Sequence, residues 1–256
     1  MLARSVRPER ETSFDRIRPM PDSQFILLFL SFYSNLKLSF ISDYMVLNQN
    51  VAELVGALIG DGYIYRNNRK YQIGFVGHPI TDKEYFEHLR VLILKEWNKE
   101  AKPVMRERAL RMVINSKEIV NFLIEDLLIP YGKIKSKTVI IPEQIKNNWD
   151  LAKHTIRGIA DTDGSVFAVP KPRVKKYPSI EITTISKILA EQTKAILEER
   201  GFRVAKIWQF KSKFKSKFSE NVGYRFGLNG KENVEKWVNE IGFSNPYKLQ
   251  RALSYI

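Results

Sequence analysis

From Met45 onward the hydrophobic and polar positions of this chain switch between two periods, and they do so twice in the same order. The first half opens on a helical stretch, VAELVGALIGDG, and runs into a short strand at residues 63–66. The second opens on LAKHTIRGIADTDG and runs into a strand at 165–169. A second strand, rich in β-branched and aromatic residues, follows at 71–76 and at 180–184. Apolar spacing near 3.6 then predicts a helix in each half. Tyr85, Phe86, Leu89, Leu92, Ile93 and Trp97 share one face in the first, and Ile188, Leu189, Thr193, Ile196 and Leu197 in the second, which ends at Gly201. Two further strands are expected at 103–107 and 110–114, then at 203–210 and 224–228. A helix closes each half after Asn115-Ser116-Lys117-Glu118 or Asn229-Gly230-Lys231-Glu232. Each half therefore reads αββαββα, and the class is α+β with antiparallel sheet.

The division that follows is an extension at 1–44, a first repeat at 45–129, a linker at 130–148 and a second repeat at 149–256. The linker, PYGKIKSKTVIIPEQIKNN, is rich in Pro, Gly and Lys. Residues 1–44 lack a sustained helical period and are expected to be an accessory extension, poorly ordered and dispensable for folding and activity.

Both halves carry Gly, four residues, then Asp-Gly: Gly56 with Asp61-Gly62, and Gly158 with Asp163-Gly164. Random placement would give about 0.02 copies of that pattern in a chain of this composition. A single Asp-Gly after a helix is an ordinary turn signal, but two copies in matching context are not. Gly56 and Gly60 lie on one helix face, and Gly158 pairs with Thr162 in the second copy. Small residues so spaced let two helix backbones approach closely. The contact would bring both helix C-termini, and with them Asp61 and Asp163, to one place. Two converging carboxylates repel unless a cation lies between them.

Composition narrows what that cation can be. There are no cysteines and only three scattered histidines, His78, His88 and His154. Thiolate and histidine metal sites are thereby disfavoured, leaving a hard ion held by oxygen, Mg²⁺ or alternatively Mn²⁺. Lys and Arg number 42 against 28 acids, a net charge of +14, which makes a polyanion the expected partner. The apolar run at 25–32, FILLFLSF, is too short to span a bilayer, which takes about 20 residues. Glu9, Glu11, Asp15 and Asp22 interrupt the basic stretch before it, so export is not expected and the location is cytoplasmic or organellar.

LVGALIGDG at 54–62 and IRGIADTDG at 156–164 resemble the nine-residue motif of the LAGLIDADG homing endonucleases, in the single-chain form with two motifs. The resemblance implies a pseudo-symmetric pair of repeats packed through the motif helices, each with a four-stranded sheet lying in the DNA major groove. It implies a monomeric, intron-encoded enzyme cutting both strands of a long double-stranded DNA target. Asp61 and Asp163 would then be catalytic and metal-binding, with backbone carbonyls of Gly60 and Thr162 also offered to the metal. Lys117 and Lys231, at matching places after the last strand, would serve as the basic residues near the cut phosphates. His78 and Thr184 are the candidates for completing the site. The copies depart from the motif at Ile59 and Asp161, and at Arg157, which is expected to face away from the helix contact.

Basic residues concentrate on the predicted strands and loops: Arg66, Arg69 and Lys70; Arg106, Arg108 and Arg111; Arg173 and Lys175; and Lys211, Lys213 and Lys215, which alternate along KSKFKSKF. Alternation places the last group on one face of a ribbon, suited to a phosphate track. Gln72 and Glu181 are expected to face DNA or solvent. The alternatives of different class are an RNA-binding splicing maturase acting on intron RNA and a non-cutting DNA-binding regulator. Retention of both motif acids favours cutting.

Overall fold

The computed structural model describes residues 45–211 and 222–256. The extension at 1–44 and residues Lys213 and Lys215 lie outside the described residues.

The first repeat runs α1 (Gln49–Ile59), β1 (Gly62–Arg66), β2 (Tyr71–Gly77), α2 (Lys83–Trp97), β3 (Val104–Arg106), β4 (Ala109–Asn115) and α3 (Lys117–Asn121). The last helix continues as a π-helical turn over Phe122–Asp126. Two short helices follow in the connecting segment, α4 (Lys135–Thr138) and α5 (Glu143–Lys146). The second repeat runs α6 (Trp149–Asp163), β5 (Gly164–Lys171), β6 (Val174–Thr184), α7 (Lys187–Glu199), β7 (Trp208–Lys211), β8 (Val222–Asn229) and α8 (Lys231–Glu240). A further helix, α9 (Pro246–Leu253), lies beyond the expected order. Asn245 nucleates it by accepting from the Tyr247 amide, and Pro246 occupies its first turn, where no N–H is needed.

Each repeat has one antiparallel four-stranded sheet, in the orders β1-β2-β4-β3 and β5-β6-β8-β7. The registers match: Gly62 pairs Phe75 and Phe75 pairs Met112, as Gly164 pairs Ile182 and Ile182 pairs Phe226. The expected strand at 203–210 is shorter, because Arg203 bonds through its amide to the Asn233 side chain of α8. Only Val204 bridges to Leu228 before the ladder resumes at Trp208.

The core lies where the helices cover the inner face of each sheet. Ile64, Ile73, Phe75, Met112 and Ile114 pack there in the first repeat, and Val166, Ile180, Ile182, Phe226 and Leu228 in the second. Helix α1 is buried from Val51 to Ile59, because α6 covers it as well as its own sheet. Among the described residues no helix is long and apolar enough to cross a membrane.

Candidate active site

The two motif helices meet backbone to backbone. A Cβ added at Gly56 would fall 2.1 Å from the Thr155 carbonyl oxygen, and one at Gly158 would fall 2.4 Å from the Glu53 oxygen and 2.6 Å from the Ala57 nitrogen. Thr155 Oγ1 donates to the Ala52 carbonyl across the contact at 2.8 Å. At the far end a Cβ on Gly60 would lie 2.0 Å from Thr162 Oγ1 and 3.4 Å from the Asp163 carboxyl carbon. The small residues expected at the contact are thus the ones that form it.

That contact delivers Asp61 and Asp163 to one place between the sheets. Both carboxyls are held above their usual range. For Asp163 the cause is burial first, then the negative charge of Asp61. For Asp61 burial again leads, with Asp82 adding to it and Lys248 and Lys135 opposing. Asp61 keeps an exposed edge and Asp163 a partial one, so the pair opens to solvent.

Two lysines complete the site, and neither was among the residues expected from sequence. Lys135 Nζ donates to the carbonyls of Ile59 at 3.0 Å, Gly62 at 2.5 Å and Gly60 at 3.4 Å. Lys248 Nζ does the same at the other helix, to Ala160 at 2.9 Å, Asp161 at 2.6 Å and Thr162 at 3.1 Å. Each therefore closes the C-terminus of a motif helix, where carbonyls lack partners and the dipole favours a cation. Burial lowers the Lys135 ammonium to about 8, against the pull of Asp163 and Asp61. Lys248 is lowered by the same cause, opposed by Asp161, Asp82, Asp163 and Asp61. The one signal in the sequence is a Pro-Tyr step before each, at unequal spacing: Pro130-Tyr131 before Lys135 and Pro246-Tyr247 directly before Lys248.

Asp161 is fully buried and holds the segment carrying Lys248. Its oxygens accept from the amides of Ser244 at 2.9 Å and Asn245 at 3.1 Å. Burial nevertheless pushes its carboxyl up to about 7. Asn245 in turn donates to Asp82 at 3.0 Å, which links the two repeats beside Asp61.

A family model described as a LAGLIDADG-like domain matches residues 150–242. That match falls on the second repeat, from the start of α6 to just past α8. It is 30% identical over 215 residues to the replication factor C small subunit of Methanocaldococcus jannaschii and 27% identical over 209 residues to that of Thermococcus kodakarensis. These alignments cover 84% and 80% of this chain but only 10% and 21% of those proteins. Among solved structures, the homing endonuclease I-WcaI bound to its DNA recognition sequence aligns with a TM-score of 0.54 at 15% identity, covering 93% of this chain and 95% of that one. The endonuclease I-DmoI in complex with DNA and Mn aligns at 0.50 and 18% identity, covering 78% and 99%. At these identities the likeness is one of fold, the two-motif form with paired four-stranded sheets.

The residues at the junction of the motif helices fit a hard divalent ion. Two carboxylates that burial and mutual repulsion leave short of compensating charge form an all-oxygen set. Two carboxylates are fewer ligands than Mg²⁺ takes, and such an ion keeps waters in its remaining positions. The Gly60 and Thr162 carbonyls already face the two lysines, at 3.4 and 3.1 Å. A second lone pair remains on each.

The other expected residues are scattered differently. Lys117 and Lys231 do not join the site. They follow Asn115 and Asn229, which stand three strand residues, or about 10 Å, from the Gly62 and Gly164 level. Lys117 lies over the Tyr71 ring at 5.8 Å, and Lys231 pairs with Glu235 at 3.6 Å. The sequence placed them at matching points of the repeat, but the strand runs away from the carboxylates. His78 stays local, its Nδ1 facing the amides of Ile80 and Thr81 at 3.3 Å. Thr184 is buried and accepts from the Ser186 amide.

Arg157 departs from expectation. It crosses the helix contact to pair with Glu53, which is only 2% exposed and also meets His88 Nε2 at 2.8 Å. Those partners overcome burial and hold the Glu53 carboxyl down at about 2.

The outer sheet faces and the turns that join their strands bear most of the expected basic residues. Arg106 and Arg111 line a groove of about 550 Å³ with Lys70, Gln72 and Asn115. Arg69 and Arg108 are exposed on the β1–β2 and β3–β4 turns. Arg173 and Lys175 are exposed at the β5–β6 hairpin, and Lys211 ends β7. Arg66 is the exception: it shares the inner parity of Ile64 and pairs with Glu125 at 2.9 Å.

Proposed function

We propose that the chain is a site-specific endonuclease that hydrolyses phosphodiesters on both strands of double-stranded DNA, using a divalent cation between Asp61 and Asp163. The observation that carries this reading is the convergence of two charge-strained carboxylates, each beside a lysine, at the junction of two like repeats. Bound there, Mg²⁺ or Mn²⁺ would supply an activated water and neutralise charge on the scissile phosphate. The protein does the rest. Gly56 and Gly158 fix the separation of the two acids. Lys135 and Lys248 sit within electrostatic reach of both acids and can stabilise charge developing on a phosphate or position a water. Two near-equivalent half-sites suit two antiparallel strands related by a local two-fold axis. The cationic outer sheet faces supply phosphate contacts, and their Arg, Gln and Asn side chains supply base contacts.

The test is cleavage of a randomised duplex library in Mg²⁺ by the full chain and by Asp61→Asn, Asp163→Asn and Lys135→Met. Double-strand cutting at a defined site is expected, abolished by either Asn substitution and slowed about 100- to 1,000-fold by the Met substitution. Tight binding of one duplex without cutting would replace this reading by a regulator. Binding of structured RNA alone would replace it by a maturase.

A further inference from the structure

Register allows the outer faces of the two sheets to be compared position by position. In the row nearest the carboxylates, Val104, Arg111 and Val76 of the first sheet correspond to Trp208, Arg225 and Thr183 of the second. The next row sets Tyr63, Gly74 and Val113 against Ser165, Glu181 and Gly227. The third sets Tyr65, Gln72 and Asn115 against Phe167, Ser179 and Asn229. Across these rows the face has diverged in charge, size and polarity, yet the arginine and the asparagine recur at matched points.

Their surroundings say how each would read a base. Asn115 Oδ1 accepts from Gln72 at 3.0 Å, and Asn229 Oδ1 accepts from Ser179 at 2.8 Å. In both repeats the amide oxygen is engaged and, among the described residues, the NH₂ group remains to donate outward. Arg225 lies 3.6 Å from Glu181 and 5.4 Å from the centre of the Phe210 ring, so its guanidinium is oriented before any ligand arrives. Among the described residues Arg111 pairs with the exposed Glu107 alone, at 3.8 Å. A guanidinium in the major groove matches the paired O6 and N7 acceptors of guanine.

We infer that Arg111 and Arg225 each read a guanine at mirrored positions close to the cut, so that the target is palindromic at that step and dissimilar in the steps directly beyond it. The inference rests on the endonuclease reading above. The shared asparagines add a mirrored acceptor contact farther out. Four strand residues separate them from the arginines, about 13 Å or four base pairs. Between the two contacts the half-sites differ, because the first sheet presents Tyr63 there and the second Glu181. Arg225, held in place beforehand, discriminates more sharply than Arg111.

The experiment is selection of cut duplexes from a randomised library in Mg²⁺, with bound duplexes recovered in parallel in EDTA. The full chain, Arg111→Ala, Arg225→Ala and Glu181→Gln are compared. The wild type is expected to recover guanine at two mirrored positions. Arg111→Ala should lose about 10- to 100-fold of the preference at one of them only, Arg225→Ala at its mirror image only. Glu181→Gln should weaken the preference at the Arg225 position and alter it at the step directly beyond, with the mirrored Arg111 position unchanged. Recovered targets without mirrored guanines would overturn the inference while leaving the endonuclease reading intact. So would arginine variants that weaken all sequences alike, the behaviour of a phosphate contact. Recovery of no preferred duplex in either arm would overturn both.

Discussion

Replacing Gly158 by alanine tests the central claim that backbone contact between α1 and α6 sets the site. Two effects oppose. Alanine favours a helix over glycine by about 1 kcal/mol. Its methyl, however, would lie 2.4 Å from the Glu53 carbonyl oxygen, about 1 Å inside the 3.4 Å of ordinary contact. The obstructing atoms belong to the backbone of a fully buried helix and cannot swing aside. The helices must separate along their shared length, and overpacking of this kind costs about 1–3 kcal/mol or more. The overlap, close to the largest possible for one methyl, puts the cost at the upper end, so the net loss is about 2 kcal/mol. In urea denaturation followed by circular dichroism this lowers the midpoint by about 1 M with an unchanged slope. Gly227→Ala is the control, since the nearest atom to its Cβ is a side-chain oxygen at 3.4 Å. A midpoint for Gly158→Ala equal to or above wild type would show that propensity outweighs contact, and the close-packed interface would be refuted.

Three further outcomes follow from the electrostatics. Asp163 has a folded pKa above its unfolded one, so its charge opposes folding, an effect absent below about pH 4 and complete above the folded value. Asp163→Asn should therefore raise Tm at pH 8, by about 2–4 °C for each kcal/mol relieved, with no gain at pH 3.5; an equal shift at both pH values would contradict the assignment, as would Mg²⁺ raising the variant's Tm as much as the wild type's. Glu53 behaves oppositely, its depressed pKa supplying stability above about 4.5 that is lost as pH falls toward 2. Arg157→Met strands that buried carboxylate and should cost about 3 kcal/mol at pH 7, while Glu53→Gln in the same chain should restore part of it; additive losses in the double-mutant cycle would show that the two residues are not coupled. Binding to duplex DNA should weaken by about three orders of magnitude or more between 50 and 200 mM salt if six or more phosphates are neutralised, and fluorescence anisotropy showing a flat salt response would remove the basic faces from the interface.

Much of this protein is local and therefore visible in the order of its residues. The repeat, the strand periods and the small residues at Gly56, Gly60 and Gly158 are patterns over a few positions, and they sufficed for the αββαββα order and for the meeting of Asp61 with Asp163. Residues that act from a distance fell outside the pattern of helices and strands. Lys135 belongs to what reads as a linker and Lys248 to a helix outside the repeat pattern, yet both reach motif-helix carbonyls more than 70 positions away in sequence. Lys117 and Lys231 sit at matching points of the repeat, but matching position does not give distance. Strand direction carries them away from the acids, and only register reveals it. Arg66 and Arg157 show the same limit for single side chains. Charge and spacing mark each as basic, while the carboxylate it finds, Glu125 or Glu53, is brought near only by the packing of elements far apart in the chain.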